Sequence, residues 1–528
     1  GSIEAFGSEE VTEADVVVIG SGIGGLSCAA ACAKYGLDVV VCESHAHPGG
    51  AAHAFERGGY TFDSGPSFFS GLAHWPSPNP LAQVLRLAGE EVPVTSYKSW
   101  LFFLPEGEFR VTADGEAYAA ELGRVGGPQT LRQWRRLERL LAPLVGVAGA
   151  LPPAALRFDL GALQTTAKYL PKVLSAGPLA ALLQRPFCDV MALAGVTDPF
   201  LRNMLDLECF VLSGVPARGT IAAEMAFIFS ERNLPSATVD YPAGGAGAVV
   251  DALVRGVEKR GGEVRTNAHV AAITADAASG RASGVRLKSG EHIRARRAVV
   301  SNASAWQTAE LMRASGGEVA ARARKTADEK ASLPKCGSFM HLHLGIDAAD
   351  LPEGLECHYV VVSSWDVEAP QNVVVISIPS VFDPSLAPEG KHCVHAYTAG
   401  NEPYELWQGM DRKSEEYARL KEERSQCLWE ALERVIPDIR ARAELKMVGT
   451  PLTHERFLRR AGGSYGPAIE AGKAAFPGPG TDVEGLYCAG DSTLPGIGVP
   501  AVAGSGLMCA NTIADVDKHK ELLEELGL

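Results

Sequence analysis

Residues 15–35 constrain the fold more than any other stretch of this chain. They read Asp15-Val-Val-Val-Ile-Gly20-Ser-Gly22-Ile-Gly24-Gly25-Leu and run on through an alanine-rich segment that stops at Gly36. A second apolar run, Asp38-Val-Val-Val-Cys42, then ends in Glu43. Short β-branched runs of this kind suit strands buried on both faces of a parallel sheet. Gly20 permits the tight turn, Gly22 lets the backbone approach a pyrophosphate, and Gly25 lets the helix pack close against the strand. Free N–H groups at the helix N-terminus then face the phosphates. Glu43 stands where a carboxylate accepts a hydrogen bond from a ribose hydroxyl. A glycine-rich turn without a ligand would not need both strands, the helix, the stop at Gly36 and the acid together. The pattern predicts a dinucleotide site on a Rossmann-like α/β unit.

A chain of 528 residues has room for two or three domains. Its net charge of −14 and its lack of any sustained basic run argue against a nucleic-acid partner. Eleven cysteines without CxxC pairing suit a reducing compartment and buried thiols rather than a disulfide framework. Gly1-Ser2 reads as an expression scar with no signal or transit sequence after it, and the residues before Ala14 read as a loose tail.

Distant segments decide between NAD and FAD. Tyr241-Pro-Ala-Gly244-Gly245-Ala-Gly247 runs into an amphipathic helix carrying Val249, Leu253 and Val257. Near the C-terminus, Leu486-Tyr-Cys-Ala-Gly490-Asp491-Ser-Thr precedes Gly496-Ile-Gly498-Val-Pro500 and a further helix. A strand ending in Gly-Asp before a glycine-rich turn places Asp491 and a helix N-terminus near a second phosphate or a ribityl chain. That much clamping from the far end of the chain suits FAD. A second strand–GxGxxG–helix unit, which a reductase with two dinucleotides would need, is not found, so the electron donor or acceptor stays unidentified.

The same residues carry a resemblance. Val17-Val-Ile-Gly-Ser-Gly-Ile-Gly-Gly-Leu, Glu43 with Pro48-Gly-Gly, Phe62-Asp-Ser-Gly-Pro, Val299-Val-Ser-Asn302-Ala and Gly490-Asp-Ser-Thr together resemble the phytoene desaturase and carotenoid isomerase family of flavoproteins. Met340-His-Leu-His-Leu-Gly and Leu452-Thr-His454-Glu-Arg-Phe extend the similarity over nearly the whole chain, nearest the plant and algal isomerase-like branch. The resemblance implies FAD contacts at Gly20, Gly22, Gly24, Gly25, Glu43, Gly50, Val270 and Asp491, with Val270 meeting the adenine through its backbone and Gly498 passing beneath the flavin. It also implies a long apolar polyene as substrate and residence in a plastid.

The predicted fold is α/β: a discontinuous Rossmann-like FAD-binding domain over 14–70, 240–305 and 480–517, with an inserted α+β substrate domain from 71–239 and 306–479. Strands are expected in that domain at 336–345, 359–362, 373–378 and 392–397, and residues 412–434, dense in charges of both signs, read as a solvated helix. Within 140–186, the uncharged run 140–156 is broken by Pro143, Pro152 and Pro153 and falls short of the ~20 helical residues that span a bilayer. Arg157, Lys168, Lys172 and Arg185 punctuate the remainder of that segment. The segment reads either as a surface lying in a membrane interface or as core helices forming a lid.

Other candidates weigh less. His341 and His343 share one strand face, but no third ligand completes a metal site, so a pocket-lining role is expected and no metal. His45, His47 and His53 read as a loop beneath the cofactor. Glu224, inside the apolar run Ile221-Ala-Ala-Glu-Met-Ala-Phe, is the candidate catalytic acid, because burial raises a carboxyl pKa; a helix acid paired with an arginine is the competing reading. His454, Glu455, Arg456, Arg459 and Arg460 form either a structural ion-pair network or a pocket mouth. Among activities, cis–trans isomerisation of a carotenoid through reduced flavin comes first, then desaturation, then hydration or saturation. Outside carotenoids stand an amine oxidase and a protein that binds flavin or carotenoid without turnover.

Overall fold

The computed structural model describes residues 12–528 apart from 149, 176, 235 and 236. The reading of the segment before Thr12 falls outside the described residues, and Thr12 and Glu13 open the first strand. One seven-stranded sheet is assembled from distant parts of the chain. Val39–Cys42 and His292–Ser301 flank Thr12–Ile19 in parallel, Glu263–Arg265 lies outside Val39–Cys42, and Leu486–Cys488 pairs with the end of His292–Ser301. Ala282–Leu287 and Val270–Ala275 extend it antiparallel. The helix Ile23–Lys34 owes its burial to small residues, and it packs on the helix Val499–Ile513, the last but one of the chain. A Cβ on Gly506 would lie 2.1 Å from the Gly24 carbonyl oxygen, so the two helices meet backbone to backbone.

A second seven-stranded sheet runs in the order Ala443–Gly449, His341–Asp347, Lys391–Thr398, Val373–Ser377, His358–Val362, Ser99–Leu104 and Gly107–Thr112. Four of these strands fall where alternation predicted them. The first begins at His341 rather than 336, because residues 335 and 338 make isolated bridges to other segments. The hairpin Ser99–Leu104/Gly107–Thr112 and the strand Ala443–Gly449 were not anticipated.

Two local expectations are corrected. Pro143 does not break its helix, which runs through it from Pro128 to Ala148. Leu137, Leu141 and Leu144 are fully buried at helical spacing, and that anchoring outweighs the one hydrogen bond a proline removes. The charged helix Glu415–Glu433 is not solvated all round: Leu428, Trp429 and Leu432 fix one face in the core beneath the second sheet.

Candidate functional site

A cavity of about 610 Å³ opens at the C-terminal ends of the parallel strands, the place where open α/β sheets take ligands. Ile19, Cys42 and Asn302 mark the strand ends, and the second sheet roofs the far side through His341, Val375 and Tyr397. Of the nine residues named as cofactor contacts, eight line this cavity: Gly20, Gly22, Gly24, Glu43, Gly50, Val270, Asp491 and Gly498. Gly25 does not. It sits beneath the turn, where a Cβ would lie 2.3 Å from the Gly20 carbonyl oxygen, so its place is in helix–strand packing.

The turn is built around Asn302. Cβ atoms on Gly22 and Gly24 would come within 2.8 and 2.9 Å of its side-chain amide, and that amide donates to the Ala489 carbonyl at 2.9 Å. The first and last strands are thereby tied through the glycine turn. Gly20 takes φ +93°, a left-handed conformation that favours glycine. Among the described residues no side chain caps the helix that begins at Ile23, which leaves its first N–H groups to the cavity.

Glu43 is held before any ligand arrives. Its Oε2 accepts from the Ser21 amide (2.9 Å) and hydroxyl (2.6 Å), and its Oε1 from the His45 amide (2.7 Å). At the other end Asp491 accepts from Arg460 and from the Ser492 hydroxyl. Arg459, at φ +50°, donates to the Ser44 hydroxyl at 3.1 Å and joins Phe457 along the adjoining wall. The charged stretch after His454 is therefore divided. His454, Arg459 and Arg460 face the cavity, whereas Glu455 accepts from Tyr404 and from the Gly462 amide.

The far wall is neutral. Val211, Phe339, His341, Val375, Tyr397, Ala399 and Tyr465 close it. Burial depresses the imidazole pKa of His341 well below its ordinary value, with the nearby His454 and His343 adding to the effect; burial likewise takes His343 to about 4 and His454 to about 3. His45, His47 and His53 line the cavity beside Gly49 and Gly50. Glu224 does not reach this wall. It lies on the helix Ala222–Arg232, half-buried yet densely surrounded, and desolvation pushes its carboxyl up to about 8. Its influence reaches the cavity through Tyr465, whose phenol is raised first by burial and then by neighbours that include Glu224.

The lining fits a flavin dinucleotide. A Cβ at Gly22 or Gly24 would strike the Asn302 side chain and one at Gly50 would press on Gly22, so these glycines keep the turn tight and its backbone open to the cavity. Gly498, at φ +110°, has open space where its Cβ would stand and turns that side to the cavity. Beyond it, an aromatic, uncharged wall suits an isoalloxazine and an apolar partner. Phe339, Val375, Tyr397 and Tyr465 were not anticipated here: the first three lie in strand-like runs whose pattern signals only burial, and Tyr465 in a Gly-Gly-Ser-Tyr-Gly-Pro loop, whereas Arg460 takes the pocket-mouth side of its two readings.

Fold and cavity together define a flavin-dependent oxidoreductase. The model of the flavin containing amine oxidoreductase family matches residues 23–514. The prolycopene isomerase 2 of an Oncidium hybrid cultivar, a chloroplastic protein, is 33% identical over 97% of this chain and 85% of its own length. The Arabidopsis thaliana prolycopene isomerase is 33% identical over 96% of this chain and 84% of its own. A neurosporene-forming phytoene desaturase of Rhodobacter capsulatus is 26% identical over 95% and 94%. Among solved structures, putrescine oxidase bound to putrescine shares the fold with a TM-score of 0.60, 16% identity and coverage of 96% and 99%. The chain belongs to the flavin-containing amine oxidoreductase family, in the group that holds prolycopene isomerases and phytoene desaturases.

Proposed function

We propose that this chain is an FAD-dependent enzyme acting on a carotenoid, with cis–trans isomerisation through reduced flavin as its reaction. The observation that carries this reading is the neutral far wall, from Val211 to Tyr465, at the end of a cavity that begins in a phosphate cradle. It suits a long uncharged substrate. Identity to prolycopene isomerases over nearly the whole chain supports the choice.

Gly20, Gly22, Gly24, Glu43, Gly50, Val270, Asp491 and Gly498 hold FAD in this reading, and Gly25 sets the packing beneath them. The cofactor domain is 14–70, 240–305 and 480–517, and the substrate domain is 71–239 and 306–479. Bound reduced flavin supplies reversible electron or hydride donation that lowers the order of one double bond and lets it rotate. The protein orients the polyene, excludes water from it and keeps His341 and His454 neutral beside it. Glu224, raised by desolvation to about 8, holds its proton away from the cavity lining. Desaturation is the second reading, favoured by the phytoene desaturase relatives.

The test is anaerobic incubation of the reduced protein with a poly-cis carotenoid, then chromatography of the isomers. Conversion to the all-trans form with no net flavin oxidation is expected. An unchanged polyene together with bleaching of the oxidised protein by an amine would overturn the reading.

Plastid residence and peripheral association with a membrane belong to the same proposal. Among the described residues no helix is long and apolar enough to cross a membrane. Phe158, Leu160, Leu163, Leu170 and Leu174 are nevertheless exposed, Leu160 by 88%, in a segment that also carries Lys168 and Lys172. That pattern suits a surface resting in an anionic interface. Co-sedimentation with anionic liposomes, abolished in a Leu163→Glu, Leu174→Glu double variant, is the expected result; pelleting unaffected by the double change would refute it.

A further inference from the structure

Three buried histidines of the second sheet form one column. His341 and His343 project from His341–Asp347, and His395 projects from the neighbouring strand directly opposite His343. The rings of His343 and His395 stack at 4.1 Å between centroids, and His341 Nδ1 lies 3.0 Å from His395 Nε2. His343 Nε2 donates to the Asp63 carbonyl at 3.1 Å, since a carbonyl only accepts. Among the described residues His395 Nδ1 has no partner, and it is fully enclosed.

These contacts assign the protons. Two neutral rings share the 3.0 Å contact, so one nitrogen must donate and the other accept. If His341 donated from Nδ1, His395 would carry its proton on Nδ1, an enclosed N–H with nothing to receive it. Orphaned buried donors of that kind are rare. His395 therefore donates from Nε2 and leaves only a bare lone pair enclosed. His341 Nδ1 accepts, so its own proton sits on Nε2. That nitrogen has no partner among the described residues and belongs to a residue of the cavity wall. The edge of His454 stands against the same ring at 5.6 Å, and Arg460, whose charge His454 feels, pairs with Asp491. The donor thus lies close to the Asp491 end, where the flavin ring is expected.

We propose that His341 offers a fixed, neutral N–H donor to an acceptor atom of the flavin ring, and that His395 is the positioning residue that sets its tautomer. The inference rests on the flavin reading above. A ring that gains electron density on reduction accepts a stronger hydrogen bond, so the donor favours the reduced form on which isomerisation depends.

The experiment is the reduction potential of the flavin-loaded protein, measured by dye equilibration without substrate, beside flavin stoichiometry. In His341→Phe the oxidised-to-reduced ratio should rise about tenfold at a fixed electrode potential, a fall of ~30 mV for a two-electron couple. His395→Phe should move it in the same direction, and His341→Gln, which keeps an N–H, should restore most of the shift. Full flavin occupancy with an unchanged potential in both phenylalanine variants overturns this inference and leaves the flavin reading standing. A wild-type chain that takes up no flavin overturns both.

Discussion

Replacing Glu224 by Gln isolates a single desolvated carboxyl and asks what it costs the fold. The folded-state pKa is raised by desolvation from 4.5 to about 8. The folded chain therefore keeps a proton that the unfolded chain releases, and stability falls as pH rises from the unfolded value through the folded one. The slope is ~1.4 kcal/mol per pH unit up to about pH 8 and flattens beyond. From pH 6 to pH 8.5 the wild type loses about 2.5 kcal/mol through this group alone. Glu224→Gln carries no such charge, and every other titrating group is common to both proteins, so their contributions cancel in the difference. Urea unfolding at the two pH values should show the variant gaining about 2.5 kcal/mol on the wild type between them. A difference that stays constant within about 0.5 kcal/mol would refute the argument and mean that water reaches the carboxylate freely.

Gly25→Ala, whose Cβ would meet the Gly20 carbonyl oxygen at 2.3 Å, should destabilise the fold by roughly 2 kcal/mol or more and lower flavin retention with it, measured by thermal melts and bound absorbance. Gly498→Ala should lower the melt by the ~1–2 kcal/mol of an L residue at φ +110° and lose flavin besides, because its Cβ would enter open cavity. His358, buried at the Tyr97 hydroxyl and depressed by burial to about 3, contributes stability that is lost as pH falls below the unfolded value of 6.5. Relative to wild type, His358→Gln should therefore gain about 1.4 kcal/mol between pH 7.5 and 5.5 in urea titrations, and a widening gap in the other direction would contradict the buried neutral ring.

The cofactor end of the site was legible because its chemistry is local. Gly20 to Gly25, Glu43, Gly490 and Asp491 each answer a requirement set within a few residues: a turn, a close approach, an acid at a strand end. The far wall was not legible, because its residues come together only through tertiary pairing. Val375 and Tyr397 face each other across two strands, and Tyr465 arrives from a loop that closes over Gly337. In sequence Val375 and Tyr397 look like core residues, since a strand roofing a cavity has the same alternation as one packed on another layer, and Tyr465 looks like part of a turn. Arg460 was read only as one of a polar group of five, His454, Glu455, Arg456, Arg459 and Arg460, and only the fold separates it from Glu455. The hairpin after Ser99 did carry a signal, the aromatic run Trp100-Leu-Phe-Phe followed by Pro105-Glu-Gly, a turn with strands on both sides.

Glu43 also shows why a motif acid is only half of a binding device. Its two oxygens already take three short hydrogen bonds, two of them from Ser21, which is itself fully buried. A carboxylate has about four acceptor sites, so under the proposed FAD reading a ribose hydroxyl would meet one whose direction the protein has fixed beforehand. The Ser21 hydroxyl also accepts from the Gly49 amide at 3.2 Å, tying the acid to the loop that carries Gly50. Ser21→Ala should then weaken flavin binding by roughly tenfold, the ~1.4 kcal/mol of a charge-assisted bond, with the turn intact. Glu43→Gln should weaken it by at least as much. If Ser21 acts by orienting Glu43, the double variant binds flavin no worse than Glu43→Gln alone in calorimetric titration of the apoprotein. Losses that simply add would mean that Ser21 reaches the ligand independently, and the orienting role would be wrong.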